Sequence, residues 1–316
     1  MHSLTQQRHL RTMLDLTPQE IETILEQAFS LKKMKDQGKP LPALLKGKNI
    51  ALVFEKPSLR TKVAFEVATA SLGGTAVFLP GVEIFRRADG ATREKTSDIA
   101  QVLERYCDCI VARVHSHASI QDIADVASVP LINALCDGHH PTQAIADLMT
   151  IRWHKPKAKQ LKVTFVGDGN NVATSLLHIC AQTGLDFVHA GPPNHRIPAD
   201  EWQAAEAPAQ TSGSVLSFTD DPVKGITDAD VVYTDTFVSM GDEAESENRL
   251  QDFAPFKVTK SLMAHAKTDA IFLHCLPAHR GEEVTDEVID SAQSKVFDQA
   301  ECRMHVAASL LAFFIH

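Results

Sequence analysis

Residues 50–61 read IALVFEKPSLRT, and the fold is decided there. Ile50 to Phe54 form a short apolar run of β type. It ends abruptly in the polar segment Glu55-Lys56-Pro57. Ser58 then stands where a helix N-cap belongs, with Leu59, Arg60 and Thr61 as the first turn of a helical run over 61–72. Strand, polar turn and helix in that order make the repeating unit of a parallel sheet.

The same unit recurs on both sides. Strand-like runs lie at 76–79, 110–114, 131–134, 162–166, 187–189, 230–233 and 270–274. Helical runs at 97–106, 172–183 and 285–292 fall between several of them. Upstream, Thr17, Pro18 and Glu20 form a capping box with proline at the first helical position, ahead of Ile21, Ile24, Leu25, Ala28 and Phe29. The alternation predicts an α/β chain with parallel sheets covered by helices on both faces.

The chain has 316 residues, enough for about two domains at roughly 100–200 residues each. The stretch 153–160, WHKPKAKQ, is polar, basic and contains proline. It reads as a hinge between two doubly wound domains of similar size, 1–152 and 153–300. A last helix over 301–314, apolar on one face, is expected to return to the first domain, so that 301–316 completes it.

Composition narrows the function. Asp and Glu number 40 against 31 Lys and Arg, a formal charge of −9. A nucleic-acid surface needs a basic excess, so that class is excluded, while a local anion pocket is not. No apolar run approaches the ~20 residues of a membrane span. The six cysteines, Cys107, Cys109, Cys136, Cys180, Cys275 and Cys302, show neither CxxC nor zinc-type spacing. With no leader-like N-terminus, these features predict a reduced, cytoplasmic protein.

Five polar clusters follow directly on predicted strands. They are 55–61, 137–143, 167–171, 235–241 and 275–277. Ligands of open parallel sheets bind at the carboxyl ends of the strands, so these clusters are expected to converge on one cleft between the domains. At Ser58–Thr61, helix N–H groups, the helix dipole and the bidentate Arg60 suit an anion, and an ordinary N-cap with a solvated arginine is the alternative. Gly167-Asp168-Gly169 resembles the start of a dinucleotide loop but lacks its third glycine. Asp168 is read as the cap of the following helix. Asn170 and Asn171 either bind substrate or shape the turn. Cys275 alone reads as a buried cysteine, His140 alone as a structural histidine, and Leu276-Pro277 suits a cis peptide in a tight turn.

Taken together the clusters resemble the transcarbamoylases, and among them the ornithine branch. SLRT at 58–61 is similar to the carbamoyl-phosphate signature, and Ala112-Arg113-Val114 to the second arginine segment. His140-Pro141-Thr142-Gln143 matches HPxQ, and His274-Cys275-Leu276-Pro277 matches HCLP. The segment 235–241, DTFVSMG, resembles the ornithine loop, and 301–305, ECRMH, the closing ENRxH segment. Six motifs in family order span nearly the whole chain.

The resemblance implies transfer of the carbamoyl group from carbamoyl phosphate to the side-chain amine of L-ornithine, giving L-citrulline and phosphate. It implies carbamoyl phosphate in the first domain, the amino acid in the second, and a homotrimer or an assembly of trimers. By resemblance, Ser58, Leu59 through its backbone, Arg60 and Thr61 hold the phosphate. Arg113 and His140, with Thr61, polarise the carbonyl. Gln143 and the backbone carbonyls of Cys275 and Leu276 hold the carbamoyl amide, and Arg303 completes that end. Asn171, Asp235, Ser239 and Met240 contact ornithine, with Asp235 and Cys275 beside the attacking amine. The chemistry requires no metal and no organic cofactor.

Three departures stand out. Leu59 replaces the usual threonine, and Phe237 replaces a tryptophan, keeping an aromatic wall. The segment between Leu79 and Ile99 is longer than usual and carries Arg86, Arg87, Arg93 and Lys95, candidates for reaching a neighbouring subunit or for a solvated loop. A transcarbamoylase for another amine, such as N-acylornithine, putrescine or aspartate, is the near alternative, and a Rossmann oxidoreductase the distant one.

Overall fold

Helix α1 (Pro18–Asp36) starts where its cap dictates. Thr17 Oγ1 accepts the Glu20 N–H, and a Glu20 carboxylate oxygen accepts the Thr17 N–H at 2.9 Å. The structure, a computed structural model, describes residues 8–81, 94–156, 160–238 and 246–315. They divide into two compact units, Met1–Ile145 with Glu301–His316, and Ala146–Ala300.

The first unit continues from α1 through β1 (Asn49–Phe54), α2 (Arg60–Ser71), β2 (Thr75–Pro80), α3 (Thr96–Leu103), β3 (Cys109–Arg113), α4 (His117–Ala124) and β4 (Leu131–Leu135). Helix α5 (Pro141–His154) begins here and runs unbroken across the division at Ile145/Ala146. The four strands form a parallel sheet in the order β2-β1-β3-β4. Strand β3 is buried along its whole length, which is why Cys109 to Ala112 read as a continuous apolar run rather than an alternating one. Edge strand β2 alternates between exposed and partly buried positions over Thr75 to Phe78, and has no fully buried residue.

The second unit holds β5 (Lys162–Val166), α6 (Asn171–Thr183), β6 (Asp186–Ala190), α7 (Ala199–Ser212), β7 (Leu216–Thr219), α8 (Pro222–Ile226), β8 (Val231–Thr234), α9 (Ser246–Phe253), α10 (Lys260–Met263), β9 (Ile271–His274) and α11 (Asp286–Ile289). Its five parallel strands run β7-β6-β5-β8-β9. The last helix, α12 (Val296–Ile315), starts in this unit and ends in the first. There Ser309 Oγ donates to the Ile24 carbonyl at 2.7 Å, and Lys32 Nζ pairs with Glu301 at 3.0 Å.

Several elements go beyond the sequence reading, the short helices α4, α8, α9 and α10 as well as β7 and α7. Strand β7 has four residues, sits at a sheet edge and is only partly buried, so it lacks both length and periodicity. Helix α7 carries Pro208 inside it, and an internal proline reads as a helix breaker.

Strand order reverses once in each sheet, between β1 and β3 and between β5 and β8. Loops leave in opposite directions on either side of such a point and open a crevice at the carboxyl ends of the strands. The clusters at 55–61 and 167–171 each start from a strand beside one of these crevices.

Candidate active site

In the first unit the crevice is built from the ends of β1, β3 and β4. Helix α2 begins at Arg60, and Ser58 Oγ accepts the Thr61 N–H at 3.3 Å, the capping bond expected of that serine. The bond holds the turn that presents the first amide groups of α2. Thr61 is buried, and its hydroxyl oxygen accepts from Arg303 Nη2 on α12. Arg113, at the end of β3, is 7% exposed, and its carbonyl accepts the Glu55 N–H at 2.8 Å. That bond ties the turn after β1 to the end of β3.

His140 precedes α5, where its carbonyl accepts the Gln143 N–H at 3.0 Å and so starts the helix. Its side chain is 3% exposed, with Nδ1 3.4 Å from the Thr142 hydroxyl. Burial above all, then the guanidiniums of Arg303, Arg113 and Arg60, hold its pKa well below the usual histidine value. Three arginines therefore surround a neutral imidazole, in a chain of net charge −9. Gln143 is fully buried beside them on α5. Leu59 is 75% exposed, so only its backbone belongs to the turn. Of the long segment's candidates, Arg86, Arg87 and Arg93 lie outside the described residues, and Lys95 is an exposed residue just ahead of α3.

In the second unit the crevice between β5 and β8 holds a hydrogen-bonded chain. Asn170 caps α6, its Oδ1 accepting the N–H groups of Val172 and Ala173 at 3.0 Å each. Its Nδ2 donates to Asp235 Oδ2 at 2.9 Å. The other Asp235 oxygen accepts from Cys275 Sγ at 3.0 Å. Asp235 and Cys275, forty residues apart in the chain, thus meet at the ends of adjacent strands β8 and β9. Asn171, partly buried, is the first residue of α6. Ser239, Met240 and Gly241 lie outside the described residues.

The Asp168 reading is corrected. Asp168 does not cap α6, because Asn170, directly ahead of the helix, takes that place. Its carboxylate pairs instead with Arg249 of α9. Arg249 Nε also donates to the Phe237 carbonyl at 2.9 Å. Phe237 is no open aromatic wall. It is 1% exposed and stacks on Phe253 with centroids 4.9 Å apart. The glycines of the partial dinucleotide loop are required by packing. A Cβ on Gly169 would lie 2.1 Å from the Ile197 nitrogen, and one on Gly167 would lie 3.2 Å from the Phe237 ring.

Beyond Cys275 the chain turns sharply. Leu276 has φ +58°, and the Leu276-Pro277 peptide is cis. His274 secures this turn with both ring nitrogens. Nδ1 accepts the Leu276 N–H at 2.9 Å, so Nε2 carries the proton and donates to the fully buried Glu283 at 3.1 Å. Donor atoms of Asp235, His274 and Cys275 cluster within 4.8 Å, but the hydrogen bonds just described already engage all three. Arg249, Glu283 and Gln299, whose Oε1 accepts the His274 N–H, are the site-supporting residues that sequence reading missed. Each acts through a contact distant in the chain and carries no local signature.

Among the described residues, no helix is long and apolar enough to cross a membrane. The family descriptions aspartate/ornithine carbamoyltransferase, carbamoyl-P binding domain, and aspartate/ornithine carbamoyltransferase, Asp/Orn binding domain, match residues 8–153 and 159–314. An ornithine carbamoyltransferase of Pyrococcus abyssi is 49% identical over 308 residues, covering 98% of this chain and 96% of that protein. One from Bacillus subtilis is 44% identical over 320 residues, covering 100% and 98%. The solved structure of ornithine carbamoyltransferase from Pyrococcus furiosus superposes with a TM-score of 0.92 at 48% identity, covering 99% of this chain and 98% of that one. With both domain descriptions matched in order and relatives of this identity along nearly its full length, the chain belongs to the aspartate/ornithine carbamoyltransferase family.

Proposed function

We propose that this protein transfers the carbamoyl group of carbamoyl phosphate to the side-chain amine of L-ornithine, forming L-citrulline and phosphate. The observation that carries the reading is the convergence of Arg60, Arg113 and Arg303 on a neutral His140. Carbamoyl phosphate brings a dianionic phosphate and a carbonyl oxygen that gains charge during attack. Guanidiniums match phosphate by paired N–H donors, and donors aimed at developing charge lower the barrier. A neutral imidazole donates one N–H without adding a fourth positive charge. In this reading Ser58, Leu59, Arg60 and Thr61 hold the phosphate, Arg113 and His140 the carbonyl, and Gln143 the amide, with Arg303 and the carbonyls of Cys275 and Leu276.

The second unit supplies the amine site. Asp235, flanked by Asn170 and Cys275, offers a carboxylate to the ornithine ammonium. Asn171, Ser239 and Met240 are the remaining proposed contacts. The ammonium gives up one proton on becoming the nucleophile. The C–N bond then forms as the C–O bond to phosphate breaks. A second nitrogen proton leaves with the phosphate as HPO4²⁻. Positioning two reactants is worth several kcal/mol by itself. A Pyrococcus furiosus relative is named anabolic, which supports the biosynthetic direction, toward arginine.

The same reading includes a homotrimer or an assembly of trimers. Leu59, Val63 and Val67, spaced four residues apart along the start of α2, are 75%, 46% and 40% exposed, an apolar row suited to a second copy. Six free thiols fit a reducing, cytoplasmic setting.

A substrate panel tests the activity. Purified protein with carbamoyl phosphate and ornithine is expected to form citrulline. N-acetylornithine, putrescine and aspartate are expected to react far more slowly. Fast turnover of aspartate or acetylornithine with none of ornithine overturns the reading. Native mass at assay concentration is expected at three times 34.6 kDa or a multiple of it, and a monomer there removes the assembly.

A further inference from the structure

Gln299 belongs to none of the motifs, yet its side chain joins the strands that end in the amine site. It lies near the start of α12 and is 1% exposed. Its Oε1 accepts the His274 N–H at 2.9 Å. Its Nε2 donates to Asp147 Oδ1 at 2.6 Å and to the Tyr233 hydroxyl at 3.0 Å. The His274 N–H is a donor only, so the amide has one possible orientation.

Each partner has a place in the site's framework. His274 ends β9 and directly precedes Cys275, while Tyr233 in β8 stands two residues before Asp235. Strand β9 is the edge of its sheet, so every second N–H points away from β8. One such group, on Phe272, is taken by the Gln293 carbonyl at 2.9 Å. The next, on His274, is taken by Gln299. Ladder pairing of β8 with β9 stops at Thr234 and His274, one residue short of Asp235 and Cys275. Beyond that pair the ladder no longer sets how far apart the two strand ends lie. Asp147, in α5, is fully buried and anchors the other side of the amide. Burial, then the charges of Asp147, Cys275 and Asp235, keep the Tyr233 phenol protonated, and it hydrogen-bonds Asp147 in turn.

We propose that Gln299 is a positioning residue for the amine half-site, fixing the end of β9 so that the Cys275 thiol meets the Asp235 carboxylate. This rests on the reading of Asp235 and Cys275 as the residues beside the attacking amine. Loss of the amide leaves the His274 N–H without its acceptor and frees Cys275 to drift from Asp235.

The test exchanges the chemistry of two partners. Gln299→Glu alone places a second carboxylate against Asp147 in a buried site, where two like charges repel. Asp147→Asn alone removes the charge from the acceptor of the Gln299 amide and leaves a single carbonyl oxygen for both that amide and the Tyr233 hydroxyl. Combined, Gln299→Glu with Asp147→Asn exchanges donor and acceptor while keeping one acid, and an oxygen at position 299 still accepts the His274 N–H. Each single variant is expected to raise KM for ornithine or lower kcat by about tenfold or more, leaving KM for carbamoyl phosphate within about twofold. The double variant is expected to recover most of that loss. Equal damage to both KM values without recovery in the double variant makes Gln299 merely structural and overturns the proposal. Alkylation of Cys275 by iodoacetamide, followed by mass spectrometry, needs no turnover. It is expected to be faster in the single variants and to return toward wild type in the double one, and unchanged rates in both singles overturn the proposal. A wild-type protein that forms no citrulline defeats the functional reading alone, and the alkylation series still decides the role of Gln299.

Discussion

Arg60 shows how much one side chain carries. It opens α2 beside the Ser58 cap, and its charge is close enough to His140 to help depress the histidine's pKa. Substituting Arg60→Gly removes a guanidinium but leaves the Ser58–Thr61 capping bond in place. A glycine at the first helical position costs at most about 1 kcal/mol. Loss of one donor aimed at developing charge typically costs on the order of 10²–10³ in rate. Arg60→Gly is therefore expected to lose most turnover while melting within a few degrees of wild type. Carbamoyl phosphate is expected to raise the melting temperature of wild type and much less that of the variant. Near-normal kcat/KM in Arg60→Gly would remove the phosphate-site assignment. At this scale Ser58, Arg60, Thr61, Arg113, His140 and Cys275 could be named from the sequence as candidates, because a motif names residues. Their mutual relations were not. That Asn170, rather than Asp168, caps α6 depends on which side chain the turn leaves facing the helix.

At the scale of elements, the turn between β5 and α6 explains itself by close approach. Gly169 N–H donates to the His195 carbonyl at 2.9 Å, and the backbone of Arg196 and Ile197 passes where a Cβ would sit. The two glycines that suggested a nucleotide loop are needed to let two backbone segments touch. Gly169→Ala must push this segment aside, and the clash is with backbone rather than with a flexible side-chain end. Overpacking of this kind costs typically 1–3 kcal/mol, and about 3 kcal/mol or more is expected here. Chemical denaturation should show it as a lower midpoint with unchanged slope. Wild-type stability in Gly169→Ala would mean the contact is not tight. Most strands were legible because both faces of a parallel sheet are buried and leave an apolar run. Edge strand β7 and proline-containing α7 were not, because exposure and proline erase those cues.

The whole molecule responds to pH through histidines that folding buries in whole or in part. His9, His140, His154, His189 and His305 all have pKa values lowered first of all by burial. His189, in β6, is the clearest, pushed down to about 4, with Nε2 held by the Gly167 carbonyl at 2.9 Å. A histidine lowered on folding takes up its proton in the unfolded chain first. Stability from this source is present above about pH 6.5, is lost as pH falls below it, and for His189 the loss levels off near pH 4. His189 alone accounts for on the order of 3 kcal/mol across that window. The melting temperature is expected to fall between pH 7 and pH 5, above the range where most carboxylates titrate, and His189→Gln is expected to flatten the fall. A melting temperature constant over that interval would contradict the neutral burial of these side chains.

By itself the sequence determined the alternation of strand and helix, the two-part organisation and the polar motifs that follow the strands. Each of these is written in local periodicity, in capping residues or in short runs of polar side chains after a strand. Tertiary structure alone decided that Asp235 takes Asn170 and Cys275 as partners, that Phe237 is buried on Phe253, and that Gln299 joins β9 to Asp147 and Tyr233. Those contacts join residues far apart in the chain. Which of many similar side chains meets another is set by strand order, register and the need to satisfy every buried polar group.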